Sequence, residues 1–146
     1  VSANRNLAAY RALGLTVVTD SLENFPGPLA GWLSAMDALT TDYVVSIPCD
    51  VPFFPADMVE KLYAALVARP DKACAAVRAG GFPQPTAAMM RRTARSSLAQ
   101  YLAKGEHRVR GWLESAGCVW VDFGDLQAFA NINTPEELAA AHQRLV

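Results

Sequence analysis

The sequence predicts an α/β domain in which a mostly parallel sheet carries helices on both faces. Three observations support this fold class: predicted strands and helices alternate along most of the chain, the apolar run at residues 43–47 is short and nearly continuous, and acidic residues follow two predicted strands. Strands that alternate with helices form parallel sheets, and a strand buried on both faces is apolar throughout. Such sheets bind ligands at the carboxyl ends of their strands.

Length and composition fit one domain over residues 1–146. The chain is 52% hydrophobic and 18% charged, as in ordinary globular proteins. Its net charge of −1 gives no reason to expect nucleic acid or an anionic membrane as a partner. No apolar run in the sequence approaches the length of a membrane span. The 3 cysteines lack zinc-ligand spacing, which indicates reduced thiols in a cytoplasmic protein.

The first part of the chain predicts a β-α-β unit. Residues 1–4 fit the end of a strand, residues 5–13 a helix, and residues 15–18 a second strand. Asp20 follows that strand and is expected at the carboxyl edge of the sheet. A simple turn at residues 20–21 is the alternative explanation for this acid.

A second acid, Asp50, follows the apolar strand at residues 43–47, which Pro48 ends. Parallel strands end at the same edge of a sheet, so Asp50 and Asp20 are expected on one ligand edge. A lone carboxylate there is well placed to hold a metal ion. The alternatives are that Asp50 starts a turn or caps the helix expected from about residue 56.

The segment FPGPLAG at residues 25–31 predicts a rigid loop before a helix at residues 29–39. Gly27 and Gly31 have no side chain that would block a ligand, and free N–H groups at a helix start favour anions or polar ring edges. Glycine near a helix start is also common for purely local reasons.

The middle of the chain continues the alternation of strands and helices. Strands are predicted at residues 73–77, 86–90 and 118–123, and helices at residues 97–103 and 109–116. Six basic residues lie at positions 91–110 with one acid. A solvated face explains most of them, and the alternative is that one arginine grips a substrate phosphate.

The motif NINTPEEL at residues 131–138 predicts the start of the last helix. Thr134 is its N-cap, and Glu137 completes a capping box. Asn131 and Asn133 precede the cap, and their spacing of two in an extended segment directs both amides to the same side. They are either a recognition fork or two turn residues.

Four features together resemble the molybdenum cofactor guanylyltransferases: Asp20, FPGPLAG at residues 25–31, PCDVP at residues 48–52, and NINTPEEL at residues 131–138. Members of that family are nucleotidyltransferases with a Rossmann-like fold that transfer GMP from GTP to molybdopterin. PGPLAG is shared with sister nucleotidyltransferases, whereas NINTPEEL together with GEHRV at residues 105–109 favours the guanylyl family. The resemblance covers essentially the whole chain.

The resemblance implies a role for each matching residue. Asp50 would be the catalytic residue and the magnesium ligand, and Asp20 a contact to guanosine. The family's GTP-binding positions fall on Ser2, Asp20, Gly27, Gly31 and Asp50, and its molybdopterin-binding positions fall on Arg108, Asn131 and Asn133. Ser2 stands where the family usually has an asparagine, which weakens that contact.

The resemblance also implies Mg²⁺ as cofactor, GTP and molybdopterin as substrates, and molybdenum-insertion and molybdoenzyme maturation proteins as partners. The family's signature, an amino-terminal strand and a Gly-rich loop with an arginine and a lysine, has no match in this sequence. That strand and phosphate-binding loop are therefore expected to be missing. Two alternatives stay open: a sister cytidylyltransferase that uses CTP, and a non-catalytic nucleotide-binding remnant in molybdoenzyme assembly.

Overall fold

A four-stranded mixed sheet forms the centre of the protein. The structure, a computed structural model, describes residues 1–20 and 27–145. The strands are β1 (Tyr43–Ser46), β2 (Cys74–Ala79), β3 (Phe82–Arg91) and β4 (Cys118–Phe123), in the spatial order β1-β3-β2-β4. Strand β2 is parallel to β4, and β3 is antiparallel to both β1 and β2. Three of these four strands therefore point the same way, which confirms the mostly parallel sheet.

Helices cover both faces of this sheet. They are α1 (Leu7–Ala12), α2 (Pro28–Ala38), α3 (Met58–Val67), α4 (Arg95–Ala103), α5 (Val109–Ala116) and α6 (Pro135–Leu145). Helices α2, α4 and α5 pack into one hydrophobic cluster, and α3 packs into a second cluster. The expected α/β arrangement is thus confirmed. Within the described ranges, every helix lacks the length and apolarity needed to cross a membrane.

The two clusters lie on opposite faces because side chains alternate along each strand. In β2, Cys74 and Ala76 face the cluster with α2, whereas Ala75 and Val77 face the cluster with α3. All four side chains are fully buried. The part of β2 with both faces covered has no solvent side, which explains why residues 74–77 are all apolar.

The tight turn between β2 and β3 consists of two glycines, Gly80 and Gly81, with φ angles of 52° and 85°. A two-residue hairpin with positive φ at both positions is the turn that matches the twist of the flanking strands. Pairing therefore begins at Phe82. The strand predicted at residues 86–90 therefore began four residues too late.

The amino-terminal pair predicted at residues 1–4 and 15–18 is reduced to one parallel bridge, between Ser2 and Val18. The backbone N–H groups of Ala3 and Val18 donate to Val18 and Val1 at 3.0 and 2.9 Å. An apolar groove of about 390 Å³ separates this bridge from β1. A groove, and not a neighbouring strand, borders one side of the amino-terminal segment. The segment therefore makes too few ladder hydrogen bonds to form regular strands.

Candidate functional site at the carboxyl edge of the sheet

Asp50 lies in a turn just beyond the carboxyl end of β1. The N–H group of Val51 donates to the carbonyl oxygen of Pro48 at 3.4 Å, which closes the turn around Asp50. The position before α3 is occupied by Asp57, so Asp50 does not cap that helix. Asp50 is half-buried, and within residues 1–20 and 27–145 its carboxylate has no hydrogen-bond or ion-pair partner. Among the described residues, the turn therefore presents a carboxylate that is available to a ligand.

A cavity of about 510 Å³ opens beside this turn, and we call it the edge cavity. It brings together six residues singled out from the sequence: Ser2, Asp20, Gly27, Gly31, Asp50 and Asn131. Acids that follow two different strands thus meet at one edge, as the β-α-β arrangement predicts. Trp32 and Thr86 also line the cavity and were missed, because each belongs to a regular helix or strand without a local motif.

Helix α2 begins at the edge cavity. Gly27 occupies its N-cap with φ 120°, and Pro28 is its first residue. That φ angle strains any residue with a side chain, so glycine is required for this entry into the helix. Gly31 lies one turn further along, where a Cβ atom would come 2.5 Å from the Ser2 hydroxyl oxygen. Residues 21–26, which include the start of the predicted FPGPLAG loop, lie outside the described residues.

A second cavity of about 530 Å³ adjoins the first, and we call it the outer cavity. Cys49 and Asp50 line both cavities. The N–H group of Ile132 donates to the carbonyl oxygen of Asp50 at 2.8 Å, which attaches the segment before α6 to the Asp50 turn. As a result Asn131 lines the edge cavity and Asn133 lines the outer cavity, on either side of this attachment.

Arg108 is not part of either cavity. It is exposed at the N-cap of α5, where its carbonyl oxygen accepts a hydrogen bond from the Tyr101 hydroxyl at 3.3 Å. Arg108 therefore does not line the cavities that Asn131 and Asn133 line. Its grouping with these two asparagines, which the family resemblance implies, stays a prediction.

Several other basic residues of positions 91–110 have structural roles. Arg91 donates to the carbonyl oxygens of Lys72 and Leu66 at 3.0 and 2.8 Å, which joins the end of β3 to the end of α3. Exposed ion pairs join Arg95 to Asp37 and Arg110 to Glu114. These contacts fit the expected solvated face for most of the basic segment.

The charge of the edge cavity is negative. Its described lining contains Asp20 and Asp50 and neither a lysine nor an arginine. Among the described residues, no group of three His, Cys, Asp or Glu side chains is placed to hold a metal ion. Mg²⁺ commonly binds one or two carboxylates and completes its shell with water and substrate phosphates. The free carboxylate of Asp50 fits that mode of binding.

Comparison with known proteins identifies the class. The family model of the MobA-like NTP transferase domain matches residues 1–119. The chain belongs to this family of nucleotidyltransferases. The matched region contains α2, both edge-cavity acids, the strands β1, β2 and β3, and the first two residues of β4.

Within this family, the chain is similar to molybdenum cofactor guanylyltransferases. It is 45% identical to that of Bordetella pertussis, with 94% of this chain and 72% of the relative aligned, and 42% identical to that of Cupriavidus metallidurans, with 94% and 70% aligned. The crystal structure of molybdopterin-guanine dinucleotide biosynthesis protein A from Archaeoglobus fulgidus superimposes with a TM-score of 0.75 at 21% identity. It aligns over 99% of this chain and 76% of its own length, which supports the fold.

Proposed function

We propose that this protein transfers GMP from GTP to molybdopterin, forms the guanine dinucleotide cofactor and releases pyrophosphate. The observation that carries this proposal is the meeting of Asp20, Asp50 and the start of α2 in one cavity of a MobA-like domain. The name of the most similar relatives, molybdenum cofactor guanylyltransferase, supports the choice of substrates.

GTP occupies the edge cavity in this proposal. Ser2 and Asp20 contact the nucleoside, and Gly27 and Gly31 allow the nucleotide to approach the start of α2. The unpaired N–H groups at a helix start attract anionic groups. Asp50, on the border with the outer cavity, marks the position of the α-phosphate, because a group shared by both cavities is the one that both substrates reach.

Molybdopterin occupies the outer cavity, whose lining is mostly apolar and includes Asn133 and Leu138. Asn131, on the edge-cavity side, contacts the same substrate near the reacting phosphate. Arg108 contacts molybdopterin only where the substrate extends beyond the outer cavity, since Arg108 lines neither cavity.

Asp50 holds Mg²⁺ in this proposal. A triphosphate and two carboxylates repel one another, and the described lining of the edge cavity supplies no basic side chain against that repulsion. A divalent cation bound by Asp50 and phosphate oxygens would neutralise this charge and stabilise the charge that develops during transfer.

The protein acts by positioning the two substrates. A phosphate oxygen of molybdopterin bonds to the α-phosphorus of GTP, while the bond from that phosphorus to the bridging oxygen of pyrophosphate breaks. The attacking oxygen is already anionic, so no side chain has to remove a proton. Alignment of the two phosphates at the cavity border supplies the main rate advantage.

The test is the substitution Asp50→Asn, with Asp42→Asn as matched control. Asp42 is an exposed residue directly before β1, at the opposite end of the strand from Asp50. We expect Asp50→Asn to lower GTP-dependent turnover by at least about a hundredfold and to leave urea unfolding unchanged, because loss of one charge-stabilising group costs roughly 2.7–4 kcal/mol of barrier. Turnover by Asp50→Asn at the level of Asp42→Asn would contradict the assignment.

The nucleotide and the catalytic step are tested in the same assay. Pyrophosphate release from GTP, and not from CTP, with molybdopterin as acceptor is the expected result. Turnover with CTP alone would identify a cytidylyltransferase. Binding of GTP with Mg²⁺ but without turnover would identify the non-catalytic nucleotide-binding protein and overturn the proposal.

Molybdenum-insertion and molybdoenzyme maturation proteins are proposed as partners, and the cytoplasm as the location. The cysteines support the location. Cys74 and Cys118 lie directly opposite each other on β2 and β4, and both are free thiols. Unpaired neighbouring cysteines are typical of a reducing compartment.

A further inference from the structure

Asn4 and Asp20 form a reciprocal pair at the border of the edge cavity. The side-chain amide of Asn4 donates to Oδ2 of Asp20 at 2.8 Å, and the backbone N–H group of Asp20 donates to Oδ1 of Asn4 at 3.0 Å. The bond from the Asp20 backbone orients the Asn4 amide, and the amide in turn holds one oxygen of the Asp20 carboxylate in place. A hydrogen bond to a carboxylate is also stronger than one between neutral groups.

The second oxygen of this carboxylate has a different environment. Oδ1 of Asp20 is buried and has no hydrogen-bond partner among the described residues. It lies 3.5 Å from the position that a Cβ atom on Gly31 would occupy, in the wall of the edge cavity. A buried acceptor without a partner is destabilising and rare, so Oδ1 requires a donor when the site is filled.

The Asn4–Asp20 pair is not needed to hold the amino-terminal segment in place. Backbone hydrogen bonds already join Ala3 to Val18 and Val18 to Val1. The backbone nitrogen of Val1 also donates to the carbonyl oxygen of Thr16 at 2.7 Å. The two side chains therefore add orientation to a connection that the backbone makes by itself.

We propose that Asn4 is a positioning residue that directs Oδ1 of Asp20 at a neutral N–H or O–H donor of the bound nucleoside. This inference rests on the proposed function. A phosphate is excluded as the partner because it is an acceptor and carries negative charge. The donor is an N–H group of guanine, either N1–H or the exocyclic amine, or a hydroxyl of the ribose, and all of them present the same chemistry to a carboxylate oxygen.

The test uses Asn4→Asp and Asn4→Ala, with Thr19→Ala as control. Asn4→Asp keeps the shape and the acceptor for the Asp20 N–H group, but it removes the amide donor and places a second negative charge beside Oδ2. Asn4→Ala removes both hydrogen bonds. Thr19 is the exposed neighbour of Asp20 in the sequence, and its side chain takes part in neither hydrogen bond of the pair.

We expect both Asn4 variants to raise KM for GTP about tenfold, to leave kcat within about twofold, and to unfold in urea like the control. A contact made equally in the bound and transition states affects KM alone. Equal KM in the variants and Thr19→Ala would overturn the inference, as would a fall in kcat at unchanged KM. Wild-type turnover with GTP, measured first, separates this result from a failure of the proposed function.

Analogues of GTP identify the donor. ITP lacks the exocyclic amine of guanine, and 2′-deoxy-GTP lacks one ribose hydroxyl. The preference is the ratio of kcat/KM for GTP to kcat/KM for the analogue. If Asp20 binds the amine, the ratio for GTP over ITP is smaller in Asn4→Asp than in the wild type. If Asp20 binds the 2′-hydroxyl, the ratio for GTP over 2′-deoxy-GTP is smaller. 1-Methyl-GTP and 3′-deoxy-GTP, which lack N1–H and the other ribose hydroxyl, test the remaining donors in the same way. Preferences against all four analogues that stay at the wild-type values would overturn the assignment of a donor to Oδ1.

Discussion

The three cysteines have different surroundings, and these decide how their thiols react. Cys49 is exposed and lines both cavities beside Asp50. Cys74 is buried, and hydrogen bonding to Cys118 together with burial raises the pKa of the Cys74 thiol far above its ordinary value. Since the thiolate is the reactive form, Cys74 is protected twice, by low access and by low ionisation.

We therefore predict that Cys49 reacts with Ellman's reagent in the native protein at least about tenfold faster than Cys74. GTP with Mg²⁺ should slow this reaction, because a nucleotide in the edge cavity covers the Cys49 side chain. The rates are measured by absorbance and assigned by mass spectrometry, with Cys49→Ser as the control that lacks the fast phase. An unchanged Cys49 rate at saturating GTP and Mg²⁺ would contradict the placement of the nucleotide.

A single site residue can be predicted from the sequence when it follows a predicted strand or belongs to a motif. Asp20 and Asp50 were found because each acid ends a strand, and the structure places both in one cavity. Asn4 was predicted only as part of the strand end at residues 1–4. Its contact with Asp20 depends on a parallel pairing whose register a single sequence does not give. The two-residue spacing of Ser2 and Asn4 on one strand face was the available signal.

Helix α6 begins with the capping box that its sequence predicts. The N–H group of Glu137 donates to the Thr134 hydroxyl at 3.2 Å, and Oε2 of Glu137 accepts from the Thr134 N–H group at 3.1 Å. The same oxygen also accepts from the N–H group of Asn133 at 2.7 Å. One carboxylate thus fixes both the helix start and the segment that lines the outer cavity.

Glu137→Ala is predicted to lower the free energy of unfolding by about 1 kcal/mol relative to Glu136→Ala. Both acids lie in the first turn of α6, so each substitution removes a similar favourable interaction with the helix dipole. Only Glu137 makes the capping contacts. Urea unfolding measures the difference, and equal losses in the two variants would show that the capping box contributes nothing.

Elements with strong local signals match the structure closely, and elements that depend on pairing do not. The predicted α5 and β4 have the observed bounds, because helical periodicity and a glycine between them are local. The bridge at Ser2 and Val18 fell short of two strands. A strand gains its regularity from neighbours on both sides, and the sequence of the segment does not show which neighbours it has.

Two ion pairs join elements of the molecule that are far apart in the sequence. Nη2 of Arg95 lies 3.1 Å from Oδ2 of Asp37 and joins α4 to α2, and Nη2 of Arg78 lies 2.9 Å from Oδ2 of Asp122 and joins β2 to β4. In each pair, the arginine hydrogen bond holds the pKa of the carboxyl below its ordinary value of 3.8. Both pairs are exposed, so solvent keeps their contribution small.

These lowered pKa values predict a loss of stability in acid. As pH falls, these carboxyls bind protons in the unfolded chain before they do so in the folded protein. The pairs therefore contribute fully to the free energy of unfolding above about pH 4, and this contribution disappears as pH falls through the lower pKa of the folded state. The double variant Asp37→Asn/Asp122→Asn should therefore lose less free energy of unfolding between pH 7 and pH 2.5 than the control double variant Asp42→Asn/Glu136→Gln. The control removes two exposed acids that have no arginine partner among the described residues. Urea unfolding at a series of pH values measures this, and identical profiles for the two variants would show that the arginine pairs do not link protonation to the fold.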